Sequence, residues 1–177
     1  MLALSAMESV AQSLARVALF QGLEPAERAR IAAIAEPRSL SAQSPLFREG
    51  EPGDALWVLL SGSVEVVKRD GAGHQQVLAT LQAPTVLGEA SLLLEDGPRS
   101  ASALAVTELS LLRVPGLEFR RLLAAQDLAA LKLTVVLGRV LALRLVQMNE
   151  RLIAVQQVGA PSSALTEFQR ALGTWHF

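Results

Sequence analysis

The spacing of apolar positions divides the chain into three regimes. As far as about Ala35, apolar residues recur at helical intervals with a break at Gln21-Gly22. Ser5-Ala6-Met7-Glu8 has the form of a capping box and predicts a first helix opening there and running to about Val17. Pro25, in the first turn of the next periodic stretch, predicts a second. From Arg38 to about Pro115 the period shortens to two. Leu56, Val58 and Leu60 fall on alternate positions, as do Val64 and Val66, and Val77 to Leu81 forms another apolar run. The turn formers Glu49-Gly50-Glu51-Pro52-Gly53-Asp54, Ser61-Gly62 and Asp70-Gly71-Ala72-Gly73 separate these runs. Many short strands at such spacing predict a compact roll rather than a parallel sheet.

The helical period returns at Gly116. A proline-free stretch of about thirty residues starts at Asp127 and would be roughly 45 Å long as one helix. Within it Leu137, Leu141, Leu145, Met148, Leu152 and Val155 step by three and four, a seam of coiled-coil type. Such a seam either packs inside the chain or joins two helices related by a two-fold axis. A helix this long exceeds what one small roll can cover, which favours the pair. Gly159-Ala160-Pro161 then breaks the pattern, and Ala164 to Leu172 predicts a short helix before Trp175 and Phe177. The expected organisation is a helical segment over 1–36, a roll over 37–125, a long helix over 126–158, and a linker with a short helix over 159–177.

Composition narrows the chemistry. With 177 residues, 51% of them hydrophobic, the chain can bury a core, and a net charge of −1 offers no broad basic surface for nonspecific nucleic-acid binding. No cysteine is present, which excludes thiolate catalysis and cysteine-held metals, and His74 and His176 alone cannot make a histidine-rich metal site. His74 falls in a hairpin turn and reads as a solvated residue. No paired acid and base or activated nucleophile stands out, so an enzyme of the cupin type on a similar roll is disfavoured. The first twenty residues lack the early positive charge of a signal peptide, and Glu8 interrupts their apolar run. No stretch approaches the roughly eighteen uninterrupted apolar residues of a membrane span, so a cytoplasmic protein is expected.

The informative segment is Leu87-Gly88-Glu89-Ala90-Ser91-Leu92-Leu93-Leu94-Glu95-Asp96-Gly97-Pro98-Arg99-Ser100-Ala101-Ser102-Ala103. Gly88 admits close approach of backbone to a ligand. Residues from Glu89 to Leu94 suit a short helix whose first N–H groups face an anion. Arg99 can fork onto two phosphate oxygens, and Ser100 adds a hydroxyl donor. Glu89, an acceptor, needs a different partner such as a ribose hydroxyl. The residues alone equally allow Glu89 and Arg99 to be a surface ion pair of little consequence.

This segment resembles the phosphate-binding cassette of the cyclic nucleotide-binding domain family, whose members include the sensory domain of the catabolite activator protein. The likeness runs from about Leu19-Phe20-Gln21-Gly22-Leu23, through the glycine-punctuated stretch from Phe47 to Val64, to about Val155. It implies an α+β fold: an antiparallel β-roll of jelly-roll type with N-terminal helices and a long C-terminal helix. It also implies a role for each matching residue. Gly88 and Glu89 match the pair whose glutamate holds the ribose 2′-hydroxyl, Arg99 the arginine on the cyclic phosphate, and Ser100 its neighbouring donor. Ala90 and Ser91 fall where backbone N–H groups approach the phosphate, and Val64 and Leu78 on the apolar wall around the base. Two positions depart from the pattern. Leu87 replaces a frequent aromatic, and Arg144 stands where the long helix offers a hydroxyl to the purine. Arginine there can stack on the base, donate to the O6/N7 edge of guanine, or face solvent.

The resemblance implies a noncatalytic sensor of a cyclic nucleotide monophosphate, cyclic AMP ahead of cyclic GMP, acting through the long helix, as a homodimer, on a downstream protein. Family members often carry a DNA-binding helix-turn-helix after that helix. Ala164 to Phe177 is too short for one, so direct DNA binding is not expected. A degenerate relative that only dimerises is the remaining alternative, against which Glu89, Arg99 and Ser100 stand intact.

Overall fold

A computed structural model describes residues 2–69, 74–94 and 97–157, and of these the side chains of 2–7, 144, 147, 148 and 151–157 are outside the description. Eight strands form two antiparallel four-stranded sheets. They are β1 (Glu36–Leu40), β2 (Pro45–Phe47), β3 (Ala55–Ser61), β4 (Ser63–Arg69), β5 (Gln75–Gln82), β6 (Thr85–Leu87), β7 (Ser102–Ala105) and β8 (Leu109–Pro115). One sheet runs β1-β8-β3-β6 and the other β2-β7-β4-β5. Chain neighbours such as β3 and β4 thus lie in different sheets, and the chain winds between them as the expected jelly-roll does.

The alternation read from the sequence separates two cores. On β3, Leu56 and Val58 face the helices, whereas Trp57 and Leu59 face the inside of the roll. On β8, Leu112 and Val114 face the helices and Leu109 and Leu111 the interior. Strand side chains alternate between faces, and both faces here are covered, so these central strands are apolar almost throughout. β5 is different. It is an edge strand, and Val77 and Leu78 are each more than half exposed despite the apolar run they belong to.

Helices α1 (Leu2–Ala15), α2 (Pro25–Ala32), α4 (Gly116–Ala124) and the start of α5 (Leu128–Gln157), with a 3-10 turn at Ala18–Phe20, pack on the helical core. α1 starts upstream of Ser5, so the Ser5–Glu8 capping box predicted from the sequence is not the helix start. The Leu-Ala residues before it are good helix formers and carry the helix back to Leu2. It also ends at Ala15, short of Val17, because the chain must turn to insert Leu19 and Phe20 into the core. A capping box does form at α2, between Glu24 and Glu27. The seam predicted along the long helix needs a correction at its first member. Leu137 is fully buried in the helical core, because the first turns of α5 dock within the compact unit that ends there. The Gly159 break and the terminal helix predicted over 164–172 lie outside the described residues.

Two ion pairs fasten α5 to α2. Arg30 Nε donates to Asp127 Oδ2 at 2.8 Å, and Lys132 Nζ donates to Glu27 Oε1 at 2.6 Å. Asp127 also caps α5, accepting the Ala129 and Ala130 N–H groups through Oδ1. Burial alone would raise its pKa, but Arg30 and the two N–H groups outweigh that and hold the carboxyl below the ordinary aspartate value of 3.8. A depressed carboxylate stabilises the fold above its unfolded-state pKa and loses that contribution as pH falls through the folded one. Asp127→Asn should therefore melt below the wild type at pH 7, and the gap should close as pH drops below 3.8. Since Arg30 is 60% exposed, water screens the pair and the neutral-pH deficit should stay under about 1 kcal/mol. Thermal melts of both proteins between pH 7 and 2.5 check this.

Candidate functional site

The predicted cassette occupies the connection from β6 to β7. Gly88 leaves β6 with φ of 74°, a conformation that disfavours any Cβ. A Cβ at this point would overlap Nη1 of Arg99, so the glycine also lets a guanidinium lie against the backbone. Glu89 and a single turn, α3 (Ala90–Leu93), follow. The far end of the cassette is strapped to the β2–β3 loop. Arg99 N–H donates to Glu51 O at 2.7 Å, Gly50 N–H to Arg99 O at 2.9 Å, and Gly53 N–H to Gly97 O at 2.9 Å. Pro52 and Pro98 form an antiparallel bridge between them. The turn-rich stretch from Gly50 to Asp54 is thus a scaffold for the cassette, and Gly53 is needed where a Cβ would strike Ser91 Oγ and Gly97 O.

The strap holds Arg99 with its side chain inward, only 6% exposed. Nη1 donates to Ser91 Oγ at 2.7 Å and Nη2 to Ala55 O at 2.9 Å. The cation lies 4.3 Å from the centroid of the Phe47 ring. Its carboxylate partner, Asp54, is distant: Nη2 to Oδ1 is 3.4 Å, and Asp54 is 59% exposed. The Nε–H is buried with no hydrogen-bond partner. Burial pushes the Arg99 pKa down, with the charge of Asp54 acting in the opposite sense. Arginine stays charged at neutral pH all the same. A buried cation with an idle N–H and a loose counter-ion is incompletely compensated, and an anion suits it.

Around Arg99 the other predicted residues take distinct places. Glu89 is buried at 7% exposure, so with Arg99 also buried the surface ion pair allowed by the sequence is excluded. Ser91 is buried, and its N–H donates to Gly88 O at 3.1 Å. The expected backbone donor at Ser91 is therefore engaged within its own turn, and it is the hydroxyl that serves Arg99. Ala90 and Ser100 are exposed, with the Ser100 carbonyl accepting Lys68 Nζ at 3.2 Å. Val64 is wholly buried inside the roll beside Leu59 and Leu87. It pairs in register with Leu81, while Leu78 sits farther along the exposed edge strand. Arg144 is on α5, and its side chain lies outside the description. The structure thus gathers Gly88, Glu89, Ser91 and Arg99, sets Ala90 and Ser100 at the surface, and leaves Val64 and Leu78 apart from each other. Among the described residues, no group of three or more acidic or histidine side chains is placed to hold a metal ion, and no helix is long and apolar enough to cross a membrane.

Comparison with known proteins decides the family. Residues 37–126 match the profile of the cyclic nucleotide-binding domain. This chain belongs to the cyclic nucleotide-binding domain family. It is 30% identical to a CRP-like cAMP-activated global transcriptional regulator of Mycobacterium tuberculosis over 91% of this chain and 71% of that protein. A cAMP-dependent protein kinase regulatory subunit of Aspergillus fumigatus is 37% identical over 62% of this chain and 26% of its own length. Among solved structures, the catabolite activator protein of Thermus thermophilus superposes with a TM-score of 0.64 at 32% identity, covering 77% of this chain and 62% of that one. As a member of the cyclic nucleotide-binding domain family, the chain shows what a reading of its cassette alone leaves out. Phe47, Asp54, the Ala55 carbonyl and the Ser91 hydroxyl all shape the arginine site. Phe47, Asp54 and Ala55 lie in the glycine-punctuated stretch that the sequence marks as turn and strand, and Ser91 was expected to act through its N–H and not its hydroxyl.

Proposed function

We propose that this chain is a noncatalytic sensor that binds one cyclic nucleotide monophosphate at the Gly88–Ser100 cassette and passes the event to a partner through α5. The observation that carries this reading is Arg99, a buried guanidinium with an idle Nε–H and a distant carboxylate. The cyclic phosphate would take Arg99, with Ser100 and the Ala90 backbone at its open side. Glu89 would accept the ribose 2′-hydroxyl, and Val64 and Leu78 would border the base. Cyclic AMP stands ahead of cyclic GMP because the relatives above are named for cAMP. Arg144 is the residue through which α5 would meet the purine. Relay has a ready joint: Gln126 adopts φ of 56° in the turn between α4 and α5. A second copy of the chain, paired along α5, and a downstream protein in the cytoplasm are the partners this reading implies. Regulation of transcription, with DNA contacted by another chain or segment, is the second reading, supported by the Mycobacterium tuberculosis relative's name.

Amide hydrogen exchange tests the site. Saturating cyclic AMP should slow exchange across 88–100, and 5′-AMP, whose phosphate is not cyclised, should not. Unchanged exchange in that segment with cyclic AMP would remove the site. A finer expectation concerns Glu89. Glu89→Gln should weaken cyclic AMP binding by less than tenfold, since an amide oxygen still accepts a hydroxyl hydrogen. The 2′-deoxy analogue should bind the wild type more weakly than the parent. Equal affinity of the two ligands, by competition titration, contradicts the role given to Glu89.

A further inference from the structure

Arg99 shares its carboxylate with a second arginine. Asp54 Oδ2 lies 2.5 Å from Arg113 Nη2, whereas Oδ1 is 3.4 Å from Arg99 Nη2. The backbone of Asp54 is fixed, since its carbonyl accepts the Gly116 N–H at 2.8 Å and Gly53 before it is strapped to Gly97. Only the side-chain torsions of Asp54 decide which guanidinium it closes on. Arg113 is itself held: it stands on β8 between Trp57 of β3 and Glu36 of β1, and its Nη1 is 3.3 Å from Glu36 Oε2. Arg113 is 22% exposed and Asp54 59%, so the short pair is held from the Arg113 side and screened by water on the Asp54 side. We propose that Arg113 is a positioning residue that keeps Asp54 from closing onto Arg99 and so leaves Arg99 open to the anionic group of the ligand.

The physical argument is a competition for one cation. A carboxylate seated bidentately on Arg99 would neutralise it and set a negative charge beside the incoming phosphate. With Oδ2 drawn to Arg113, only a long contact to Arg99 remains, enough to orient the guanidinium and too little to satisfy it. Ser91 Oγ and Ala55 O supply the rest of the orientation without adding charge. The same geometry makes Arg113 a second positive charge behind the site. This inference rests on the cyclic-nucleotide reading above.

The test is a set of calorimetric titrations with cyclic AMP on the full chain, with a thermal melt of each variant. Arg113→Ala should bind about tenfold more weakly than the wild type because Asp54 is released onto Arg99. Arg113→Lys, which keeps a cation on Asp54, should retain most of the affinity. Adding Asp54→Ala to Arg113→Ala should return most of the loss, because the competing carboxylate is gone. A residue that merely braced β1, β8 and β3 would not be rescued by removing another side chain, so this suppression separates positioning from packing. Wild-type affinity in folded Arg113→Ala, or a double variant no tighter than Arg113→Ala, overturns the inference. If Arg99→Ala loses binding while Arg113→Ala does not, the ligand site stands and only the role of Arg113 falls. A wild type that binds no cyclic AMP overturns both.

Discussion

Arg99→Ala is expected to lower cyclic AMP affinity by about tenfold to a hundredfold or more while leaving the fold in place. A charge-assisted hydrogen bond contributes about 1.5–3 kcal/mol, and the guanidinium is the one buried cation of the cassette. The fold should survive because two opposing effects nearly cancel. The variant leaves Ser91 Oγ and Ala55 O without their donor, which costs stability. It also removes a buried charge whose contact with Asp54 is a long 3.4 Å, which returns some. The strap itself uses backbone groups of residue 99 and is kept. Titration of the variant, alongside a melting curve within a few degrees of the wild type, checks the expectation. A folded variant with unchanged affinity would show that the anion binds elsewhere.

The second large effect concerns association. α5 exposes Leu128, Leu131, Val135, Leu143, Leu145 and Val146, each at least 43% accessible. Leu128, Leu131 and Val135 step by three and four, which places them on one stripe, opposite in role to Leu133 and Leu137 in the core. An apolar stripe of this size on a lone chain favours self-association, and a second copy presenting the same stripe is its simplest partner. The chain is therefore expected to be a dimer at micromolar concentration. Leu131→Glu combined with Val135→Glu should convert it to a monomer, a loss of dimer affinity on the order of a hundredfold or more, and should leave cyclic AMP binding measurable. Sedimentation equilibrium reads this directly. An unmodified chain that sediments as a monomer removes the two-fold pair.

The residues that carried the sequence reading were those whose neighbours in the chain determine their fate. Leu56, Val58 and Leu60 alternate because a strand has two faces, and the structure uses the alternation as written. Gly88, Glu89 and Arg99 could be read together because they lie within a dozen residues of one another. What was not legible depends on contacts far along the chain. Asp54 and Arg99 meet across 45 residues and Asp54 and Arg113 across 59, and no local pattern marks those pairings. Leu137 belongs to a heptad-like seam by spacing, yet docking of α5 turns it inward. Val77 to Leu81 is an apolar run, but its strand falls at the sheet edge and leaves Val77 and Leu78 exposed, which only the sheet order reveals. Ser5 carries the chemistry of a helix cap, and helix-forming residues before it override that signal.

The most direct test of the central claim is calorimetric titration of the unmodified chain with cyclic AMP and, in parallel, with 5′-AMP. The account predicts saturable binding of one cyclic AMP per chain and at least about tenfold weaker binding of 5′-AMP, whose phosphate is doubly charged and not closed onto the ribose. Absence of saturable binding to either cyclic AMP or cyclic GMP, in a protein shown to be folded by its melting transition, would contradict it.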